Sequence, residues 1–102
     1  ADRQPKQLIY RDIVVDLESR SVTKGGEMIT LKNMEYELLF TFLRHPGMEM
    51  TREDLLHQVW GDEFIGETRT VDVHVAALRR KLDLNKELAT VYKIGYRLEM
   101  QP

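Results

Sequence analysis

The chain contains no cysteine, which excludes disulfides, thiolate zinc sites, iron–sulfur clusters and thiol nucleophiles together. It also lacks any apolar run near the roughly 18 residues a membrane span needs, and no signal-peptide pattern opens it. Glycine and proline are sparse, and those present punctuate the chain: Gly25-Gly26 as a turn, Pro46-Gly47 and Gly61 as stops. No glycine-rich phosphate loop, internal repeat or low-complexity segment is present.

What remains is 102 residues, 42% apolar and 31% charged, which predicts one globular domain with no room for a second core. The polar opening Asp2-Arg3-Gln4-Pro5-Lys6 resembles a linker. Residues 1–7 are therefore expected to be a linker remnant and residues 8–102 a domain cut from a longer cytoplasmic protein. The net charge of −2 hides a polarity. Residues 1–68 hold 8 Lys/Arg against 13 Asp/Glu, and residues 69–102 hold 7 against 4, so the two parts carry −5 and +3. An anionic partner should meet the C-terminal third.

Ile13-Val14-Val15, Ser21-Val22-Thr23 and Met28-Ile29-Thr30-Leu31 read as short strands, with Gly25-Gly26 turning between the last two. From Asn33 the apolar period becomes helical through Met34, Leu38, Leu39 and Phe42. Tyr36, Phe40 and Leu43 widen the stripe, as expected for a sandwiched helix that stops at His45-Pro46-Gly47. Thr51 is an N-cap candidate for a second helix carrying Leu55, Leu56, Val59 and Trp60 and ended by Gly61. An acidic loop around Phe64 and Ile65 leads to a third helix, about Thr70 to Leu82. There Val71, Val75, Leu78 and Leu82 form a narrow core stripe opposite Arg69, Val73, Ala76, Ala77 and Arg80. Asp72 and Arg79 flank that outward face on one side, with Thr70, His74 and Lys81 on the other. Ala89-Tyr92 and Tyr96-Glu99 read as a closing hairpin around Lys93-Ile94-Gly95.

Catalytic readings fail on spacing. His45, His57 and His74 have no metal-ligand spacing to one another or to a carboxylate on the same face. Glu53-Asp54 at a helix start and Asp62-Glu63 in a loop are accounted for by the helix dipole and by solvation. No cofactor or metal is expected. A three-helix core whose last helix exposes a basic face, followed by a hairpin, is the layout of a winged helix. One α-helix fits the major groove while flanking cations neutralise phosphates. An ordinary solvated helix would also explain Arg79-Arg80-Lys81 alone. The short apolar Val73, Ala76 and Ala77 between the charges, and Lys93 and Arg97 on the hairpin, favour a binding face. The alternative from another class is a winged-helix module that docks a protein on the exposed face of the third helix.

The chain resembles the OmpR/PhoB-type effector domains of bacterial two-component response regulators. The marks are Glu35-Tyr36-Glu37-Leu38-Leu39, Thr51-Arg52-Glu53-Asp54-Leu55-Leu56, Val59-Trp60-Gly61, Arg69-Thr70-Val71-Asp72-Val73-His74-Val75, Leu78-Arg79-Arg80-Lys81-Leu82 and Gly95-Tyr96-Arg97-Leu98, in that order. The resemblance implies an α+β winged helix-turn-helix: an N-terminal four-stranded antiparallel sheet, three helices and a C-terminal β-hairpin wing. It implies sequence-specific binding of double-stranded DNA, with no enzymatic activity. The third helix would be the recognition helix, in the major groove, with the wing, about 90–99, near the minor groove. Phosphate contacts would come from Arg52, Trp60, Arg69, Thr70, His74 and Arg79. Base contacts would come from Val73, Ala76 and Ala77, with Arg80 in reach of either.

On the wing Thr90, Tyr92, Lys93 and Tyr96 would meet DNA, Tyr92 standing where the family commonly has a minor-groove arginine. Lys32 replaces a usual capping threonine, so Asn33 is expected to cap the first helix. Asp62, Glu63, Phe64, Ile65, Gly66 and Glu67 would form the loop that touches RNA polymerase in activators. The resemblance also implies a receiver domain, absent here, that a sensor kinase phosphorylates and that dimerises the full-length protein on tandem half-sites. The isolated domain would be monomeric. Trp60 is read chiefly as a core residue, and Asp72 as an internal ion-pair partner.

Overall fold

The computed structural model describes residues 6–101. Four short strands open the domain: β1 (Gln7–Tyr10), β2 (Ile13–Asp16), β3 (Ser21–Lys24) and β4 (Glu27–Ile29). They form an antiparallel sheet in sequence order, β1-β2-β3-β4. Alternation chooses the inner face, so Tyr10, Ile13, Val15 and Val22 are buried. The β3–β4 turn needs two consecutive left-handed residues, and Gly25 and Gly26 supply them with φ of 58° and 84°. Gln7, expected in the linker, instead pairs with Asp16 in β1. The Lys6 carbonyl likewise accepts a hydrogen bond from the Leu17 N–H, so backbone pairing reaches past the hydrophobic pattern. The rest of the expected linker, residues 1–5, lies outside the described residues.

Helix α1 (Asn33–Arg44) packs against α2 (Arg52–Trp60) and α3 (Arg69–Leu82), and its side chains Tyr36, Leu38, Leu39 and Phe42 enter the shared core. The expected residue does not cap this helix. Lys32, not Asn33, occupies the N-cap position, and its backbone N–H donates to Glu35 Oε1 at 2.9 Å. Glu35 reaches back from the third helical position, which relieves the cap residue of needing an oxygen of its own. Asn33 Oδ1 instead accepts from Arg20 at 3.0 Å. The Thr51 hydroxyl does cap α2, accepting from the Asp54 N–H at 3.0 Å, and Gly61 ends that helix at φ 97°. The third helix starts at Arg69, one residue before the expected Thr70.

The C-terminal sheet has three strands: β5 (Met50–Thr51), β6 (Leu88–Val91) and β7 (Gly95–Leu98), in the order β5-β7-β6. The sequence shows no sign of β5. Both hairpin strands begin one residue earlier than their apolar pattern suggests, because Leu88 pairs with Leu98 in the core and Gly95 pairs with both Val91 and Thr51. Tyr92 therefore lies in the turn, not in a strand. The Tyr10 hydroxyl donates to the Glu99 carbonyl at 2.6 Å and ties the first sheet to the chain leaving the second.

Candidate nucleic-acid interface

Helix α3 organises the site. Val71, Val75, Leu78 and Leu82 are all fully buried, which fixes the rotation of the helix and turns Arg69, Val73, Ala76 and Arg80 outward. Val73 is 65% exposed. Ala77, expected beside Ala76 on that face, is buried at 7% exposure. It lies on the side where α3 meets the other two helices: His74 touches Trp60 of α2, and Lys81 pairs with Glu35 of α1. A methyl side chain there lets the helices close together, and the outward apolar face narrows to Val73 and Ala76.

Each side of α3 is tied down. On the helical side, Lys81 Nζ donates to Glu35 Oε1 at 2.7 Å, and Glu35 is 4% exposed. Burial pushes the Glu35 carboxyl up, but the hydrogen bonds from Lys81 and the Lys32 backbone outweigh it and hold it below its ordinary value. His74 Nδ1 lies 2.8 Å from the Thr70 carbonyl, an acceptor, so Nδ1 must donate. Nε2 of the neutral ring is then an acceptor only, and His74 can donate to a phosphate only when protonated. Its ring stands edge-on to Trp60, centroids 4.9 Å apart. Trp60 is half-buried and packs on the core, while Phe64 from the acidic loop leans on it at 6.2 Å.

On the wing side, Asp72 accepts two hydrogen bonds from Arg52, one from Nε at 2.9 Å and one from Nη2, and a third from the Tyr96 hydroxyl at 2.6 Å. One carboxylate thus joins α2, α3 and β7, as the ion-pair reading of Asp72 expects. Burial pushes its carboxyl up, and the bonds from Arg52 and Tyr96, with the charges of Arg52 and Arg69, bring it below the ordinary range. Burial and the bond to Asp72 raise the Tyr96 phenol. Tyr96, expected on the DNA-facing wing, is 7% exposed with its hydroxyl committed inward, so it braces the site from below. Arg79 donates through Nε and Nη2 to the Leu88 carbonyl at 2.9 and 2.6 Å, and through Nη2 to the Thr90 hydroxyl at 2.8 Å. Its guanidinium also lies 5.4 Å from the Tyr96 ring centroid. Arg79 is a strap between α3 and the β6–β7 hairpin, a role that spacing alone does not reveal.

The surface left over is specific. Among the described residues Arg69 and Arg80 form no ion pair, whereas Arg52 is neutralised by Asp72. The wing turn presents Tyr92, 82% exposed, and Lys93, whose ammonium lies 5.4 Å from the Tyr92 ring. Arg52 at the start of α2 and the hairpin residues Thr90, Tyr92, Lys93 and Tyr96 line one groove. Asp62 to Glu67 are all exposed, Ile65 almost fully at 97%.

Two carboxyls held below their ordinary values make an acid-limb prediction. A depressed folded-state value contributes stability that is complete above the unfolded carboxylate range, about pH 4, and is lost as pH falls through the folded value. Thermal midpoints measured downward from pH 6 should therefore fall below about pH 4. The double variant Glu35→Gln, Asp72→Asn should start less stable and decline more gently. An acid limb as steep as the parent's would show that neither carboxyl contributes.

A three-helix core, a fixed third helix with an apolar–cationic outward face and a strapped hairpin define a winged helix-turn-helix domain. Residues 26–98 match the family described as "Transcriptional regulatory protein, C terminal". The chain is 44% identical over 97 residues to the transcriptional regulatory protein CusR of Escherichia coli and 38% over 98 residues to ResD of Bacillus subtilis. These alignments take in 92% and 91% of the chain but only 43% and 41% of the relatives. A crystal structure of the Klebsiella pneumoniae RstA DNA-binding domain in complex with the RstA box is 30% identical, with a TM-score of 0.83. It matches 93% of this chain and 98% of that one. The chain belongs to this family of regulatory C-terminal domains, of the OmpR/PhoB type.

Proposed function

We propose that the chain is the double-stranded-DNA-binding output domain of a two-component response regulator, acting by binding and not by catalysis. Helix α3 enters the major groove and the β6–β7 wing lies against the neighbouring minor groove. The observation that carries this reading is the face of α3. Two arginines without ion pairs bracket an apolar centre on a helix whose other sides are tied to the protein. Free guanidinium groups at such spacing suit phosphates on the groove walls. Lys93 and Tyr92 extend the same surface onto the wing, and Thr70 and Trp60 are further phosphate donors that the family resemblance implies. His74 adds a donor only in its protonated form.

The exposed acidic loop, Asp62 to Glu67 with Ile65 almost wholly in solvent, suits a protein partner, and RNA polymerase is the partner the family resemblance implies. A receiver domain, phosphorylated by a sensor kinase in the cytoplasm, would dimerise the full protein on tandem half-sites. The domain by itself would be a monomer.

Arg69→Ala tests the phosphate role most cleanly, because no internal bond is lost with it. It should weaken binding to all duplexes alike by about 1–3 kcal/mol, leaving the preferred sequence unchanged. Arg79→Ala should weaken binding similarly, and should also lower the folding midpoint by removing the donors to Leu88 and Thr90. Titration of each variant against several duplexes decides the matter. A changed sequence preference in Arg69→Ala would make Arg69 a base reader.

A further inference from the structure

We propose that this chain recognises thymine through its C5-methyl group, by packing Val73 and Ala76 against it, with no side-chain hydrogen bond to a base edge from the centre of α3. The inference rests on the DNA-binding reading and specifies what that site reads. Four side chains form the outward face: Arg69, Val73, Ala76 and Arg80. The central two have neither donor nor acceptor, and Val73 keeps 65% of its surface in solvent.

Beside them, the Asp72 carboxylate and one nitrogen of His74 are already occupied. Both Asp72 oxygens are taken by Arg52 and Tyr96, Nδ1 of His74 by the Thr70 carbonyl. Ala77, the other small residue of this stretch, is buried. Arg69 and Arg80 lie eleven positions apart, about 16 Å along the axis, so they flank the apolar centre without covering it.

Of the four bases, only thymine presents an apolar group in the major groove. The short Ala76 side chain lets the helix backbone approach a base pair closely, and Val73, one turn away, lies within reach of its neighbour. Because the contact is with the methyl and not with thymine O4, 5-methylcytosine should satisfy it where cytosine does not.

The test uses the 102-residue chain and a duplex that the chain itself selects from a random pool. Each thymine of that duplex is replaced singly by uracil, then by cytosine and by 5-methylcytosine with guanine opposite. At one or two positions uracil should weaken binding about fourfold, the value of one buried methyl. At the same positions 5-methylcytosine should bind more tightly than cytosine by a similar factor. In Val73→Ala the sensitivity at one of those positions should shrink toward unity.

If the chain binds the selected duplex with salt-dependent affinity but no uracil matters, the methyl readout is wrong. Specificity then passes to Tyr92 and Lys93 on the wing, and the DNA-binding reading stands. A 5-methylcytosine duplex no better than the cytosine one would overturn the proposal as well. If no duplex is enriched at all, the proposed function falls together with it.

Discussion

Gly95→Ala is expected to destabilise the domain by about 3 kcal/mol, the upper end of what forced overpacking costs. A Cβ at this position would lie 2.1 Å from the Met50 carbonyl oxygen and 3.0 Å from the Thr51 Cα. Both obstacles are backbone, so no rotamer change relieves the clash. Neither can the obstacles move cheaply. Met50 is 2% exposed, and β5 is held to β7 by the pairs Met50–Tyr96 and Thr51–Gly95. The two strands must part, or β7 must slide, and in either case Tyr96 is displaced from Asp72. The damage therefore spreads from one strand to the junction of α2, α3 and the wing. Urea midpoints of parent and variant measure the effect. A loss under about 0.5 kcal/mol, typical of an unconstrained surface site, would show that β5 and β7 separate without cost.

The same junction marks the border between what the sequence tells and what it conceals. The stripe Val71-Val75-Leu78-Leu82 is legible because one amphipathic helix carries the whole signal in its own spacing. The Gly25-Gly26 turn, the Thr51 cap and the stop at Gly61 are legible for the same reason, since each is decided within a few residues. Ala77 is not. Its angular position on α3 is as far from the core stripe as that of Ala76, and only the approach of α1 and α2 from one side buries the one and spares the other.

Strand β5 is two residues long and carries no pattern of its own, existing because β7 passes beside Met50 and Thr51. The pair Glu35–Lys81 spans 46 positions, and Arg52–Asp72 spans 20, so their partners could not be paired from spacing. A hint existed for Glu35: a glutamate three positions after the residue before a helix is a capping signature. Lys32 in that place masks the signature, because it has no side-chain acceptor. Arg79 shows the functional cost of such concealment. It reads from sequence as a phosphate contact on the flank of the third helix, but two of its donor nitrogens bind β6.

The dependence of duplex affinity on salt tests the central claim most directly. Of the cations proposed to meet phosphates, Arg52 is neutralised by Asp72, which leaves Arg69, Arg79, Arg80 and Lys93. Sequence alone, counting five or six basic or polar groups, would put the log–log slope at about −4 to −5. With four cations, each contributing about −0.9, the slope becomes about −3.6. Affinity for one duplex should then fall about 150-fold between about 50 and about 200 mM monovalent salt. Arg69→Ala should make the slope shallower by about 1. A nearly flat response, or binding only to a protein partner through Val73 and Ala76, would contradict the account.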